Sequence, residues 1–259
     1  MYARMQFMVF KYLLFIVVLL VAASAAAQGC APDHIDEFAR ITYVYDGDTV
    51  RLDDGRHIRL IGINAAETGK DGRPSEPYAD EARDALSALL KPNTRVGIRF
   101  DSERRDTYHR WLAHLYTSGS QSVEAWVLEN GYAALIAVPP NLWNIDCYRE
   151  AEMRARTQHK GIWSLSYDNA DILSLKSDSH PFHIIEGTVR HIGETDKSVW
   201  LDLESGIALR IDRRDLSYFD GVNLQGLLDE RVIARGWMYQ GKGQAVMRIR
   251  HPVALQLLQ

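Results

Sequence analysis

Residues 45–68 read YDGDTVRLDDGRHIRLIGINAAET and set Asp48, Arg59, Asn64 and Glu67 on and beside one short hairpin. Arg110, in DTYHRWLAHLY, can join them. A phosphodiester resists hydrolysis because its negative charge repels nucleophiles and its alkoxide leaves poorly. Cleavage therefore needs a cation on the crowded phosphorus centre and a base that activates water. Arg59 and Arg110 offer permanently charged, bidentate contacts to non-bridging oxygens. Glu67 is placed to act as general base or to hold the attacking water. Asp48 is a natural ligand for a hard divalent cation. Each residue alone has a plainer reading. Asp46-Gly47-Asp48 can be an ordinary turn, Arg59 a surface pair worth little, Glu67 a solvated loop charge, and Arg110 a partner of Asp101 or Asp106. His109 beside Arg110 reads as incidental. Their conjunction in this order is what implies phosphodiester chemistry.

Those residues need a rigid frame, and the pattern supplies one. Residues 39–63 alternate with the period of two of half-buried strands, broken by the hairpin signal Asp53-Asp54-Gly55. Further strands are expected at Arg95–Asp101 and Trp111–Tyr116. A first helix opens near Ser75 and Pro77 and ends before Pro92. A second runs near Val123 to Glu129, and a third near Tyr148 to His159. This describes an α+β domain over residues 38–164. Residues 165–180 read as a linker. Five short strands follow in residues 181–259, at Ile184–Val189, Ser198–Leu203, Ile207–Ile211, Val232–Trp237 and Ala245–Ile249, consistent with a second small β-barrel.

The apolar run Tyr12–Ala27 follows Arg4 and Lys11 and ends in small residues, which makes residues 1–27 a signal peptide by pattern. A retained membrane anchor and lipidation of Cys30 are the other two readings. Removing that stretch takes away two basic groups and no acid, shifting the net charge from −4 to −6. Nucleic acid would then be held by a local basic patch and not by overall charge. The two cysteines, Cys30 and Cys147, are expected to form a disulfide in an exported chain. They give no zinc signature.

The pieces DGDTVRL, HIRLIGI, NAAET, DTYHRWLAHLY, VLENGYA and KGIWS, in that order across residues 40–164, resemble the staphylococcal nuclease (thermonuclease) family. The resemblance implies a five-stranded OB-type barrel with three helices, and hydrolysis of DNA or RNA to 3′-phosphates with a divalent cation, usually Ca²⁺. It implies phosphate-binding roles for Arg59 and Arg110, an essential Glu67, metal ligation by Asp48, Asn64 and the Ala65 carbonyl, and Tyr108 beside the bound nucleotide. The family usually reads Asp-Thr-Pro-Glu where this chain has Asn64-Ala65-Ala66-Glu67. The amide costs the site one negative charge, so weaker Ca²⁺ binding, a preference for Mg²⁺ or Mn²⁺, or reduced activity are each consistent with it. The family's pocket tyrosines are not evident near Ala137 to Pro139. Residues 181–259 resemble, more distantly, an OB-like extension of some bacterial secreted members. There, Arg190, Arg210, Arg235, Arg248 and Arg250 with Trp200 and Trp237 read either as a single-strand groove or as solvent faces of strands. Lys70 and Arg73, in the loop from Thr68 to Glu76, read as a phosphate-attracting flap or a solvated loop. The expectation is an exported (periplasmic or extracellular) monomeric nuclease acting on DNA or RNA, with no stable membrane partner once the leader is cleaved. The alternative is a catalytically weakened nucleic-acid-binding OB-fold protein.

Overall fold

Strand alternation in the first domain is realised as β1 (Glu37–Val44), β2 (Thr49–Leu52), β3 (His57–Leu60), β4 (Ile63–Ala65), β5 (Arg95–Arg105), β6 (Trp111–Tyr116) and β7 (Ala133–Leu135). Between them lie α1 (Ala79–Leu89), α2 (Val123–Glu129) and α3 (Ile145–Thr157). The structure is a computed structural model that describes residues 30–69, 72, 74–165, 171–175, 182–241 and 243–258. The leader read at 1–27, with Lys70 and Arg73, lies outside the described residues. Strands β1-β2-β3-β6-β5 close into a barrel in which only β3 and β6 run parallel. Its interior is filled by the inward-facing residues of that alternation, among them Ile41, Val50, Leu52, Ile58, Leu60, Ile98 and Leu115.

Local chemistry explains the element ends. Ser122 caps α2, its Oγ accepting from Ala125 N at 3.1 Å. Gly131 and Gly161 bring the VLENGYA and KGIWS motifs together: Ile162 N donates to Gly131 O at 2.9 Å. A Cβ on Gly161 would sit 2.0 Å from that oxygen, and both glycines hold positive φ, so neither position tolerates a side chain. The first helix begins at Ala79, later than the Ser75 and Pro77 signal, because Tyr78 takes a left-handed conformation just before it. The β4–β7 ribbon was not foreseen, since three-residue strands are too short to show alternation.

The second segment forms β8 (Asp171–Leu175), β9 (Phe182–Glu194), β10 (Ser198–Leu203), β11 (Ala208–Asp212), β12 (Arg231–Gln240), β13 (Ala245–Arg248) and β14 (Leu255–Leu257). The stretch read as a linker thus carries a strand, which pairs antiparallel with β9. The order β9-β10-β11-β13-β12 closes through β12–β9 pairing, with β11 and β13 parallel. This is the strand order of the first barrel, so both segments are OB-type barrels although their sequences show no residue-level repeat.

The two barrels share a core. Ala66, Ala79, Ala134, Ala155, Ile162 and Trp163 of the first pack with Phe182, Ile184 and Ile233 of the second. Beside that cluster Arg235 of β12 meets Glu152 of α3 at 2.7 Å, both buried. β7 pairs with β4, and this ion pair satisfies the Leu135 backbone: Leu135 N donates to Glu152 Oε1 at 2.7 Å, and Arg235 Nη1 donates to Leu135 O at 3.2 Å. A disulfide joins Cys30 to Cys147 in α3 across 117 residues, as expected. A loop of that length restricts the unfolded chain by roughly 4–5 kcal/mol.

Two stability predictions follow from these buried charges. Arg235→Ala should destabilise the whole chain by about 3–5 kcal/mol in urea denaturation, because it leaves Glu152 buried without its cation. Glu124 is buried, with Leu115 N, Ser122 Oγ and Tyr148 Oη bonded to its carboxylate, and burial pushes its pKa up to about 8. The folded state therefore holds a proton that the unfolded state releases near the ordinary value of 4.5. Stability conferred by this group falls as pH rises between those values. Glu124→Gln should flatten that part of a stability-against-pH curve.

Candidate active site

The turn Asp46-Gly47-Asp48 lies against β4 and α1, and Gly47 permits the approach. A Cβ there would lie 2.6 Å from Ala65 Cβ and 2.8 Å from Ala82 Cβ. Asp48, 4% exposed, is held from three sides. Its Oδ2 accepts from Ala65 N at 2.8 Å and from Arg59 Nη2 at 3.0 Å, and its Oδ1 accepts from Thr49 Oγ1 at 3.0 Å. Arg59 also donates through Nη1 to Leu60 O and Ile63 O, both at 2.9 Å, and through Nη2 to Asn64 Oδ1 at 3.2 Å. Both Nη atoms are thus engaged, and among the described residues no hydrogen bond uses Nε. In an extended strand a residue's N–H and C=O face the same edge. Ala65 N points at Asp48, so the Ala65 carbonyl faces the same side, away from β7.

Asp48, Arg59, Asn64 and Ala65 are therefore brought together, as the sequence implied. Glu67 follows directly and is exposed. Its backbone N donates to Glu76 Oε2 at 2.8 Å, and Glu76 N donates to Glu67 O at 3.0 Å, so the loop from Thr68 to Ser75 is pinned at both ends. Arg110 sits on the neighbouring strand edge. Arg59 of β3 is the register partner of Leu112 in β6, and Arg110 lies two residues before Leu112, just ahead of the strand. Strand geometry puts its Cα roughly 8 Å from that of Arg59, within reach of two long side chains. Asp106 orients Arg110 by accepting from Nε at 2.7 Å, and among the described residues no hydrogen bond occupies its Nη atoms. Tyr108 is 79% exposed, its ring 5.5 Å from the Arg110 guanidinium.

Two acids of this neighbourhood were not singled out from the sequence. Asp46 is buried beside Asp48, accepting from Asp48 N at 3.0 Å. Burial, with the charges of Asp48 and Glu67, pushes its pKa up to about 7, against the opposing pull of Arg59. Glu76 rises to about 7 by burial, with the Glu67 charge adding. The Asp-Gly-Asp motif held a signal for the first: a glycine between two acids marks a backbone pressed close to a neighbour. Glu76 gave none, because its partner is nine residues away across an irregular loop.

The donor set suits a hard divalent cation: one carboxylate, one amide oxygen and one carbonyl, next to acids whose mutual repulsion a cation would relieve. Among the described residues no three His, Cys, Asp or Glu side chains are gathered closely enough to hold a metal by themselves. The neutral oxygens of Asn64 and Ala65 would thus be needed.

The second barrel's arginines are committed to acids. Arg190 pairs with Glu204 and Asp229, Arg210 with Asp212, Arg248 with Asp212 and Asp215, Arg250 with Asp215, and Arg235 with Glu152. Arg250 also donates to Pro139 O at 2.9 Å. These contacts do not leave an open single-strand groove, and the solvent-face reading fits Arg190 but not Arg235, which is buried in its ion pair.

The profile of the Staphylococcal nuclease homologue family matches residues 57–165. The chain is 31% identical over 128 residues to the thermonuclease of Staphylococcus hyicus, covering 48% of this chain and 75% of that one. To the thermonuclease of Staphylococcus intermedius it is 34% identical over 127 residues, covering 46% and 72%. To endonuclease YhcR of Bacillus subtilis (strain 168) it is 22% identical over 182 residues, covering 66% of this chain and 15% of that one.

Gly47→Ala tests the packing behind the Asp48 turn. Overfilling a close contact of this kind should cost about 1–3 kcal/mol in urea denaturation and weaken any cation binding in the same variant. An unchanged midpoint would mean that the turn relaxes freely.

Proposed function

The chain belongs to the staphylococcal nuclease family, and we propose that it is an exported, divalent-cation-dependent nuclease that cleaves DNA, RNA or both with little sequence specificity. That it is a nuclease, hydrolysing phosphodiesters, follows from the family and the thermonuclease and endonuclease relatives. The observation that carries the finer reading is the shared contact at Arg59, whose Nη2 reaches both Asp48 Oδ2 and Asn64 Oδ1 while Ala65 N holds the same carboxylate.

In this reading Asp48, Asn64 and the Ala65 carbonyl would hold the cation, an oxygen-only set that suits Ca²⁺, Mg²⁺ or Mn²⁺ alike, with Ca²⁺ the one that the family resemblance implies. When bound, such a cation would act as a Lewis acid toward a phosphoryl oxygen. Arg110, oriented by Asp106 with its Nη edge open, grips a non-bridging oxygen. Arg59 keeps the acids and the amide in one arrangement and offers Nε to the substrate. Glu67 takes the proton from the attacking water at its carboxylate, steadied by the reciprocal backbone contact with Glu76. Tyr108 lies against the nucleotide. The disulfide supports export, since such bonds persist in oxidising compartments. A monomer is expected.

The experiment is cleavage of plasmid and single-stranded DNA and of RNA by the purified protein with Ca²⁺, Mg²⁺ or Mn²⁺ and with chelator. Cleavage should require a cation. Glu67→Gln should lower kcat by about 10²–10⁴-fold, the range of general base catalysis. Asn64→Asp should tighten Ca²⁺ binding in calorimetry by adding a charge to the donor set. Tight binding of nucleic acid with no turnover under any cation would favour the weakened, binding-only alternative that Asn64 motivates.

A further inference from the structure

Beside Arg110, between the β2–β3 turn and the loop from Asp106 to Arg110, runs a groove of about 410 Å³. Arg56, His57, Arg105, Tyr108, Arg110 and Trp111 are on its walls. Trp111 is wedged between cations: the Arg105 guanidinium lies 4.4 Å and that of Arg56 5.3 Å from its ring. The two arginines differ in their charge balance. Arg56 is neutralised by Asp54 and Glu37. Arg105 has no carboxylate partner among the described residues, and is exposed. Among the described residues it is held by strand pairing with Trp111 and by the ring stack, which fix a planar cation without discharging it. An aromatic row leads to the same place over the outer face of the hairpin. The Tyr43 and Tyr45 rings lie 4.9 Å apart, Tyr45 and His57 likewise, and Tyr45 Oη meets His57 Nε2 at 3.1 Å.

An unpaired cation, an exposed Tyr108 and an aromatic approach are what a polynucleotide backbone and its bases require. We propose that this groove is a subsite for the nucleotide next to the scissile phosphate, with Arg105 binding that nucleotide's phosphate and Tyr108 stacking its base. Arg105 then discriminates by length: substrates with a phosphate beyond the scissile one gain its contact, and a dinucleoside monophosphate does not. The assignment rests on the nuclease reading for the position of the scissile phosphate, at Arg110.

Kinetics of the full chain on two single-stranded substrates, an octanucleotide and a dinucleoside monophosphate, test it. Arg105→Ala should raise KM for the octanucleotide about tenfold, the size of one charge-assisted contact. Values of kcat and the dinucleoside kinetics should stay unchanged. Arg105→Lys should recover most of the loss, and the salt slope for octanucleotide binding should fall by about 0.7, one phosphate's share. Equal loss on both substrates, or no loss on the octanucleotide, overturns the subsite. If the unaltered protein cuts neither substrate, the nuclease reading fails separately, and octanucleotide binding by fluorescence anisotropy decides the groove. A weaker Arg105→Ala affinity sustains it, and an equal affinity rejects it.

Discussion

The carboxylate of Asp48 accepts at once from Ala65 N at 2.8 Å and Arg59 Nη2 at 3.0 Å, from a site 4% exposed. A buried carboxylate is tolerated only when its charge and lone pairs are met, and here each bond that meets them also fixes a piece of the site. The bond to Ala65 ties the hairpin to the strand that carries Asn64 and leads to Glu67. The bond to Arg59 holds the guanidinium that in turn bonds Asn64 and the carbonyls of Leu60 and Ile63. Loss of the Asp48 carboxylate would leave Arg59 facing an amide and two carbonyls, and Ala65 N without its bond to the hairpin.

The second barrel contributes to the same arrangement from behind. β4 pairs with β7 through Asn64 and Ala134, and β7 has its Leu135 amide and carbonyl met by Glu152 and Arg235. Ala66, next to Glu67, is packed in the cluster with Phe182, Ile184 and Ile233. The chain from Asn64 to Glu67 is therefore clamped between one barrel's acid and the other barrel's apolar wall. This explains why a buried ion pair is kept where hydrophobic residues would cost less desolvation: the backbone groups of Leu135 need a donor and an acceptor at that point.

Much of this was legible in the chain because it repeats. The regular spacing of short strands located every strand of the second closed barrel, though β9 runs on to Glu194, well past its expected end at Val189, and α2 fell on Val123–Glu129 as its Ser122 cap and Asn130-Gly131 stop imply. The convergence of Asp48 and Arg59 was readable because one hairpin carries both, with Asn64 close behind in sequence. What escaped depends on long-range closure. Three-residue strands β4 and β7 have no period to read, the strand at 171–175 is polar at its start, and the Glu76 contact arises only when the loop returns to Glu67. Arginines of the second barrel read more readily as solvent faces than as a nucleic-acid groove, and only the tertiary positions of Asp212, Asp215 and Glu152 show them committed to ion pairs.

Asn64 has opposing effects on the two cations the site must manage. Asp46 is already pushed up to about 7 by burial and by the charges of Asp48 and Glu67, so a further carboxylate at position 64 would deepen a repulsion that Arg59 meets only in part. The amide relieves that repulsion and weakens the pull on a divalent cation. It also changes the hold on Arg59. A guanidinium bonded to two carboxylates is gripped by paired charges, whereas its 3.2 Å bond to Asn64 Oδ1 has one ionised partner and is the weaker kind. Arg59 is thus easier to draw from Asn64 toward a phosphate oxygen. Cation affinity and arginine availability move in opposite directions at this one position, so a lowered affinity for the metal does not by itself set a lowered rate.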